Sequence, residues 1–474
     1  MLPGDFFNIL NNEFGFEPTS GQKRVMHHLS AFVLTQKPQP LYLLKGYAGT
    51  GKTSLMGALV RSLSAINRKF VMLAPTGRAA KVMSGYSGFS AQTIHRKIYM
   101  RLMTSDGQFT MKLMENRHRN TIFLVDEASM IGETTADQGM FRTQNLLSDL
   151  MAYVYGGDAC SMILIGDKAQ LPPVGVDQSP ALDMNFIRSS FTLTAAGFEL
   201  TEVMRQSLES GILSNATRFR TMLDSDQIEL PLFALSGFGD VNKVQSDEFE
   251  ELLHMAFGRR DVEQAVVVCR SNKTANMFNQ SIRSRILGFE EEVNAGDLLM
   301  IVKNNYYWLE PGEGGGGFLA NGDIIRVNRV NMVEDVYGFR FADAEIALID
   351  YPDSPPLQVK LLLDSLMVNG PSIPFEAFMK LAKAIEEDYA EVPERRKRMS
   401  MVRSNPYSNA LQVKFSYALT CHKTQGGQWP IVFVEAGIRN KDEVNAGYLR
   451  WLYTACTRAT QSLYLIGFPE ELTD

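Results

Sequence analysis

Residues 46–53 read GYAGTGKT, and this octapeptide limits the possible folds of the chain more than any other feature. It follows a short apolar run, LYLL at 41–44, and precedes SLMGALVRSL, which favours a helix. The pattern G-x-x-x-x-G-K-[ST] between a strand and a helix predicts a phosphate-binding loop. We expect backbone N–H groups of residues 49–53 to surround phosphates, Lys52 to reach the β- and γ-phosphates, and Thr53 to bind Mg²⁺.

Three more apolar runs precede polar motifs in the first half of the chain: KFVMLA at 69–74, TIFLV at 121–125 and SMILIG at 161–166. Continuous apolar strands are typical of a parallel sheet that is buried on both faces. Ligands of such sheets bind at the carboxyl ends of the strands. GYAGTGKT, APTGRAA, DEASM and GDKAQLPP each follow one run. The sequence therefore predicts an α/β fold with one polar edge.

Two of these motifs carry candidate catalytic residues. In LVDEASM, Asp126 is predicted to hold Mg²⁺ and Glu127 to polarise the attacking water. The alternative for an Asp-Glu pair is a solvated helix start. In GDKAQLPPVG, Gln170 is predicted to sense the γ-phosphate, with Asp167 bracing the loop.

The second half of the chain contains a second set of apolar runs, AVVVC at 265–269, IVFVE at 431–435 and SLYLIG at 462–467. Arg205 in LTEVMRQ begins this half and Arg458 in LYTACTRAT lies near its end. A single arginine is usually solvated or salt-bridged. Two arginines facing a first unit that lacks its own are what an ATP site between domains requires, and such fingers are worth roughly 10³–10⁵ in rate.

Two insertions interrupt the parallel pattern. Residues 99–114 place β-type runs on either side of Asp106-Gly107, which predicts a hairpin; a surface excursion is the alternative. GDLLMIVKNN, LANGDIIRVNRV and EIALIDY have the short runs and turns of a small antiparallel barrel. The glycine run 314–317 predicts a flexible loop within that barrel.

The totals set broad limits. The 474 residues predict about two to four domains. We find no apolar stretch of the roughly 20 residues that span a bilayer and no signal peptide, so we expect no membrane contact and a cytoplasmic protein, nucleoid-associated if it is bacterial or from a phage. Four scattered cysteines fit a reducing compartment and argue against zinc. With a net charge of −6, a polyanion must be bound locally.

Two further residues are candidates for base contacts. The amide of Gln22, in FEPTSGQKRVM, can read the N6 donor and N7 acceptor of adenine, although a surface position is the more frequent role for such a residue. Phe89, with Tyr86, could stack on nucleic-acid bases, and packing under the loop is the alternative.

Nine strings are similar, in this order, to the helicase motifs of superfamily 1: GYAGTGKT, APTGRAA, QTIH, DEASM, GDKAQLPPVG, LTEVMRQ, CRSNKTAN, ALTCHKTQGGQ and LYTACTRA. The set resembles the RecD-like and Pif-type branch, superfamily 1B, from Gln22 to about residue 467. GDLLMIVKNN followed by LANGDIIRV is similar to the SH3-like barrel of that branch.

The resemblance implies two RecA-like motor domains, at 1–200 and at 201–292 with 408–474. It also implies a wedge hairpin at about 97–118 and an SH3-like barrel with a helical extension at 293–407. ATP and Mg²⁺ would be the cofactors, Gln22 would contact adenine, and Arg205 and Arg458 would be arginine fingers. The implied nucleotide-binding residues are Gln22, Gly46, Gly49, Thr50, Gly51, Lys52 and Thr53. The implied DNA contacts, besides Phe89, are Pro75, Thr76, Gly77, Thr93, His95, Asn272, Thr420, His422, Lys423 and Thr424.

The resulting hypothesis is an ATP-dependent DNA helicase, with DNA replication and repair as the contexts that the family implies. It would translocate 5′ to 3′ on single-stranded DNA and unwind forked duplex DNA, and the polarity is implied by the family alone. A monomer suffices, because both halves of the ATP site lie in one chain. Two alternatives stay open: a translocase that remodels RNA or nucleoprotein, and a non-motor ATP-dependent DNA clamp.

Overall fold

The chain folds into two parallel β-sheets with flanking helices and one closed β-barrel, as seen in a computed structural model. The structure describes residues 1–103, 109–132, 145–203, 209–225, 228–245, 247–258, 262–309, 318–438 and 441–473. Over these ranges no helix has the length and apolarity that a bilayer crossing demands.

The first sheet and its hairpin occupy the first eight strands: Pro40–Gly46 (β1), Lys69–Ala74 (β2), Ala91–Thr93 (β3), Tyr99–Met103 (β4), Phe109–Leu113 (β5), Thr121–Val125 (β6), Ser161–Gly166 (β7) and Thr194–Leu200 (β8). The sheet has the order β3-β2-β6-β7-β1-β8 and every neighbouring pair is parallel. Strands β6 and β7 are buried at every position, which explains their continuous apolar sequences.

Among the described residues, seven α-helices accompany these strands: Pro3–Phe14 (α1), Ser20–Val33 (α2), Lys52–Ala65 (α3), Gly77–Ser87 (α4), Ile94–Ile98 (α5), Leu146–Tyr155 (α6) and Met184–Ser190 (α7). Helices α3 and α4 begin directly beyond the carboxyl ends of β1 and β2. The polar edge of the sheet is therefore built from strand ends and helix starts, as predicted.

The predicted hairpin is confirmed in its strands. Strands β4 and β5 pair in antiparallel register from Tyr99 opposite Leu113 to Met103 opposite Phe109. The Asp106-Gly107 turn lies outside the described residues.

The second half contributes ten strands: Val241–Lys243 (β9), Ala265–Cys269 (β10), Leu298–Ile301 (β11), Ile324–Val336 (β12), Phe339–Leu348 (β13), Leu357–Leu362 (β14), Leu411–Phe415 (β15), Ala418–Thr420 (β16), Trp429–Glu435 (β17) and Ala459–Ile466 (β18). The second sheet is parallel, in the order β16-β10-β17-β18-β9, and β11 to β15 close the barrel. Strand β15 lies beyond residue 407, so the barrel extends past the end that we predicted for the insertion.

The described part of this half also contains seven α-helices: Gly211–Asp224 (α8), Phe249–Phe257 (α9), Asn272–Ser281 (α10), Phe375–Glu387 (α11), Arg395–Arg403 (α12), Cys421–Thr424 (α13) and Ala446–Cys456 (α14). Helices α11 and α12 contact each other beside the barrel and form its helical extension.

A buried ion pair joins the barrel to the second sheet at the point where the chain enters and leaves the barrel. The Arg283 guanidinium donates to both carboxylate oxygens of Asp297 at 2.9 Å, and both side chains are at most 4% exposed. The Tyr417 hydroxyl, located between β15 and β16, donates to the same carboxylate at 2.9 Å. The Asp297 carboxylate therefore holds together the segments through which the chain enters and leaves the barrel.

We expect Asp297→Ala to lower the free energy of unfolding by about 3–5 kcal/mol, because it leaves the Arg283 charge buried without its partner. Urea denaturation measures this change. Glu292→Ala is the control, since it removes an exposed ion pair of 2.8 Å with Arg340 and should change the free energy by less than about 1 kcal/mol. Equal losses in the two variants would contradict the prediction.

Candidate nucleotide site and nucleic-acid groove

The loop between β1 and α3 has a backbone that requires glycine. Gly49 and Gly51 have φ angles of 75° and 81°, in the left-handed region. A Cβ on Gly46 would lie 2.9 Å from Thr50 Oγ1 and 3.0 Å from the Leu200 Cβ. The Thr50 hydroxyl donates to the Tyr47 carbonyl at 2.7 Å and closes the loop. The loop thus delivers its N–H groups to the start of α3, which suits an anion.

Lys52 lies at the first turn of α3 and turns back over the loop. Its ammonium group donates to the carbonyls of Gly46 and Tyr47 at 2.5 and 2.7 Å. It also lies 4.0 Å from a carboxylate oxygen of Asp167. The lysine charge is therefore held at the mouth of the loop.

Asp126 and Glu127 follow β6 and are half-buried. The Tyr86 hydroxyl donates to Asp126 at 2.8 Å, so Tyr86 binds a carboxylate where we had considered base stacking. Glu127 has a φ angle of 51°, a left-handed backbone conformation that is rare for residues other than glycine. Burial raises the pKa of Glu127 to about 7, against the opposing effect of the Arg458 charge. Burial also raises the pKa of Asp126.

Asp167 and Gln170 come from the loop after β7. The Asp167 carboxylate accepts hydrogen bonds from the Ala169 N–H at 2.9 Å and from the Tyr453 hydroxyl at 2.5 Å. Gln170 is 8% exposed, and its Oε1 has no hydrogen-bond partner in the described part of the chain. A buried acceptor of this kind suits a donor from a ligand or an ordered water.

Arg458 follows α14 and brings a positive charge from the second sheet. Its guanidinium donates to the carbonyls of Thr454 at 2.9 Å and Gly427 at 3.0 Å. The other predicted finger, Arg205, lies outside the described residues.

A cavity of about 370 Å³ unites these groups. Its lining includes Gly49, Gly51, Lys52, Thr53, Asp126, Glu127, Asp167, Gln170 and Arg458. The structure thus brings the predicted phosphate loop, both carboxylates and the arginine of the second sheet into one cleft. Its volume is in the usual range for small-molecule sites, about 300–1,000 Å³.

Gln22 is engaged within the protein. Its Oε1 accepts from the Thr19 N–H at 2.9 Å, and its Nε2 donates to the Thr50 carbonyl at 3.0 Å. The side chain is 1% exposed. An adenine contact, as we predicted for Gln22, would require this amide to leave both partners; in this structure it caps α2 and supports the phosphate loop.

The cleft fits a Mg²⁺ ion that arrives with a phosphate. Among the residues that the structure describes, no group of three or more His, Cys, Asp or Glu side chains could hold a metal alone. Thr53 and Asp126 both line the cleft. Because Mg²⁺ is usually held by one or two carboxylates together with substrate phosphates, these two residues suit it.

A second cavity, a groove of about 340 Å³, lies where the first sheet, the second sheet and the barrel meet. Six predicted DNA contacts line it: Pro75, Thr76, Thr93, His95, His422 and Lys423. Thr76 and Thr93 accept the N–H groups of Ala79 and Arg96 at 3.2 Å, so their oxygens cap helices. Their hydroxyl protons can still be donated to a phosphate.

The other predicted DNA contacts lie elsewhere. Thr424 is fully buried and donates to the Cys421 carbonyl at 2.8 Å. Phe89 packs edge-to-face on Phe70 with ring centroids 5.3 Å apart. This contact fits packing within the protein, the alternative to base stacking that the sequence left open for Phe89. Gly77 packs against the barrel, and Asn272 and Thr420 are half-buried at the ends of other elements.

The groove holds little fixed positive charge. Burial lowers the pKa of His95 to about 4 and also lowers the pKa of His422. Both imidazoles are therefore neutral near pH 7. Nucleic acid in this groove would meet hydroxyls, imidazoles and backbone N–H groups, which is consistent with the net charge of −6.

Sequence reasoning missed several residues of the groove. One of them is Trp429, whose ring centroid lies 3.9 Å from the Arg78 guanidinium. Another is Tyr306, which comes from the barrel. The aromatic run YYW at 306–308 was a signal for stacking that could have identified Tyr306. Trp429 offered no such signal, because it lies within an apolar strand.

The barrel closes the groove against the first sheet. Arg96 and Asp323 form an ion pair of 3.3 Å in which both side chains are at most 1% exposed, and Arg96 lies 4.0 Å over the Tyr351 ring. Lys81 pairs with Asp350 at 3.7 Å beside it. On the second-sheet side, Lys423 donates to the Asn321 side chain at 2.6 Å.

Comparison with known proteins gives a consistent assignment. A family model described as an AAA domain matches residues 18–224, and one described as a UvrD-like helicase C-terminal domain matches residues 415–466. The ATP-dependent DNA helicase dda of Enterobacteria phage T4 is 26% identical over 288 residues. The ATP-dependent RecD2 DNA helicase of Deinococcus radiodurans is 28% identical over 176 residues. Over part of its length, the chain is therefore similar to DNA helicases of the branch that its nine motifs resemble.

The matched regions cover only part of each relative. The T4 alignment covers 60% of each protein, and the Deinococcus alignment covers 37% of this chain and 21% of the other. Solved structures of Pif1 helicase from Bacteroides, with ADP-AlF3 and single-stranded DNA, and from Candida albicans give TM-scores of 0.46 and 0.45 at 14% and 16% identity. They cover 96% of this chain and 94% and 96% of theirs. With TM-scores below 0.5, the fold is defined by the sheet order and the barrel described above.

Asp323 makes the stability of the closed groove depend on pH. Burial raises the pKa of Asp323 to about 6, although the Arg96 charge lowers it. An unfolded aspartate titrates near pH 4, roughly. The folded protein therefore binds more protons between these values, and the contribution of Asp323 to stability is present below about pH 4 and is lost as the pH rises through about 6.

We expect Asp323→Asn to reduce the fall in the free energy of unfolding between pH 4 and pH 6 by about 1–3 kcal/mol. Urea titrations of both proteins at the two pH values measure the difference. Asp353→Asn, at an exposed position, is the control and should keep the wild-type slope. An unchanged slope in Asp323→Asn would refute the assignment.

Proposed function

We propose that this chain is a superfamily 1B, ATP-dependent DNA helicase that moves 5′ to 3′ along single-stranded DNA and separates forked duplex. The observation that carries the proposal is the cleft in which Lys52 and Glu127 of the first sheet meet Arg458 of the second. A site shared by two lobes makes ATP hydrolysis depend on their closure. The 5′ to 3′ polarity is supported by the resemblance to the branch alone.

Each residue of the cleft has a role in this proposal. Lys52 would exchange the loop carbonyls for the β- and γ-phosphates of ATP. Glu127 would take a proton from the attacking water, and its pKa of about 7 makes the carboxylate available near neutral pH. Arg458, oriented by two backbone carbonyls, would stabilise the charge on the transferring phosphoryl group. Mg²⁺, when bound by Thr53 and Asp126, would neutralise charge on the phosphate oxygens.

The cleft and the groove share two segments of chain, which gives a route for coupling. Helix α4 and the residue before it place Thr76 in the groove and Tyr86 in the cleft. Residues 425–429 place Gln425 and Trp429 in the groove and Gly426 in the cleft. A movement of either segment therefore acts on both sites.

The two shared segments touch at a glycine. Gly426 has a φ angle of 73°, and a Cβ there would lie 2.7 Å from the Ala79 Cβ and 3.2 Å from Thr76 Oγ1. The neighbouring Gly427 carbonyl accepts from Arg458. Closure of the arginine onto a nucleotide would thus shift the segment that contacts α4 at the groove.

DNA is the favoured track because the curated relatives are named DNA helicases. Aromatic side chains such as Tyr306 and Trp429 suit stacking on unpaired bases, which is worth roughly 1–3 kcal/mol per base. An RNA-directed translocase and a non-motor clamp are separated from this proposal by the following experiment.

The test is strand displacement on matched forks that carry only a 5′ tail or only a 3′ tail. The wild-type protein with ATP should displace the strand from the 5′-tailed fork, and Lys52→Ala should not. Lys69→Ala, at an exposed position, is the matched control and should behave as wild type. Displacement from 3′ tails only would overturn the polarity, displacement from RNA tails only would overturn the DNA track, and ATP-stimulated binding without displacement would indicate a clamp.

We expect Arg458→Ala to bind ATP with near wild-type affinity and to lose DNA-stimulated turnover by about 10³-fold or more, because the charge from the second sheet is removed from the transition state. Equilibrium binding of a fluorescent ATP analogue and steady-state ATPase assays measure the two quantities. Turnover within a factor of about two of wild type would remove the basis for an interdomain site.

A further inference from the structure

Helix α14 presents one face to the first sheet. Arg450, Tyr453 and Thr454 lie three and four residues apart and share that face. Arg450 donates to the Lys168 carbonyl at 2.6 Å, and the Thr454 hydroxyl accepts from the Leu171 N–H at 2.9 Å. The helix is therefore hydrogen-bonded along the loop that carries Asp167 and Gln170.

Tyr453 reaches furthest from this face. Its hydroxyl accepts a hydrogen bond from the Ala48 N–H of the phosphate loop at 2.7 Å and donates to the Asp167 carboxylate at 2.5 Å. The side chain is 1% exposed. One hydroxyl of the second sheet thus joins the phosphate loop to the carboxylate that lies 4.0 Å from the Lys52 ammonium.

Tyr47 makes the reciprocal contact from the phosphate loop. Its hydroxyl donates to Asp224 at the end of α8 at 2.6 Å, and its ring lies 4.2 Å from the Arg220 guanidinium. Tyr47 and Tyr453 hold the loop from adjacent positions, but only Tyr453 contacts the Asp167 carboxylate beside Lys52 in this way.

We propose that Tyr453 is a positioning residue for ATP hydrolysis, which aligns the phosphate loop and Asp167 when the two motor units close. The inference rests on the proposed function. Because Tyr453 is buried behind the loop, it acts through Ala48 and Asp167. Loss of its hydroxyl leaves the Ala48 N–H and one carboxylate oxygen without that partner and lets the loop and Lys52 drift relative to Arg458. Loss of the Tyr453 hydroxyl should therefore lower kcat and leave the KM for ATP nearly unchanged.

The test compares Tyr453→Phe with Tyr448→Phe, a matched control on the same helix. Tyr448 is also 1% exposed, and its hydroxyl donates to the Ala436 carbonyl at 2.8 Å, within the second unit. Each variant loses one buried hydroxyl. We expect Tyr453→Phe to lose at least about tenfold in DNA-stimulated kcat, with the KM for ATP within about twofold of wild type. Tyr448→Phe should keep the wild-type kcat.

Hydrogen–deuterium exchange of the peptide that contains residues 45–53 gives a readout that needs no turnover. The Ala48 amide is protected by the Tyr453 hydroxyl, so this peptide should exchange faster in Tyr453→Phe and at the wild-type rate in Tyr448→Phe. Asp167→Asn, which keeps the shape of the acceptor side chain, is the second variant should Tyr453→Phe fail to fold. Asp167→Asn should reproduce the loss of kcat. Where Tyr453→Phe does fold, the variant that carries both substitutions should lose no more kcat than the worse single variant.

Equal losses of kcat in the two tyrosine variants, with equal losses in Tm, would show a packing role and overturn the proposal. A kcat of Tyr453→Phe within twofold of wild type would overturn it as well. If the wild-type protein hydrolyses no ATP in the presence of DNA, the proposed function fails, and the exchange comparison alone decides the Tyr453 bridge: faster exchange supports it and unchanged exchange refutes it.

Discussion

The organisation of this chain depends on the contact between α14 and the phosphate-loop edge of the first sheet. A parallel sheet collects its loops at the carboxyl ends of its strands, and two such sheets form one site only when those edges are held face to face. The hydrogen bonds that Tyr453 and Arg450 share with that edge are directional, so they fix the orientation as well as the distance. Arg458 lies two residues beyond the end of α14, so the same helix positions it in the cleft.

The distribution of charge is compatible with the proposed binding of a polyanion by an acidic chain. In the cleft, Lys52 and Arg458 lie beside three carboxylates, those of Asp126, Glu127 and Asp167. The pKa values of Asp126 and Glu127 are raised, because burial disfavours their charged forms. In the groove, by contrast, the imidazoles are neutral near pH 7 and the cations are largely engaged with the barrel and Trp429. In the proposed function, affinity for a strand comes from hydrogen bonds and stacking. Such contacts can be released at each step of the proposed movement, whereas a dense array of cations would act as a trap.

Local patterns predicted what local physics determines. The phosphate loop follows from its glycines, and the parallel sheet follows from apolar runs that are buried on both faces, such as β6 and β7. Contacts between distant segments were harder to predict. The adenine contact of Gln22 stays a prediction; in this structure its Nε2 donates to the Thr50 carbonyl, 28 residues away in the sequence, a contact that no local pattern indicates. The barrel was predicted to end at residue 407, yet β15 closes it, because a short strand such as LQVKF is equally suited to a sheet or a barrel. Tyr453 resembles a core residue in the sequence, and only the tertiary structure shows which buried polar groups its hydroxyl joins.

The position of Lys52 shows how nucleotide could bias the contact between the two sheets. Its ammonium donates to two neutral carbonyls of the loop, and these bonds are weaker than bonds to a charged phosphate. A triphosphate should therefore draw the lysine away from Gly46 and Tyr47. The Tyr47 carbonyl also accepts from Thr50, while the Tyr47 ring and hydroxyl bind Arg220 and Asp224 of α8. The same residue thus connects the lysine to the second motor unit, and a change at its carbonyl acts on a contact between the sheets. In this arrangement the sensing of phosphate and the closure of the cleft are linked through backbone and aromatic contacts of the loop itself, before Arg458 adds its charge.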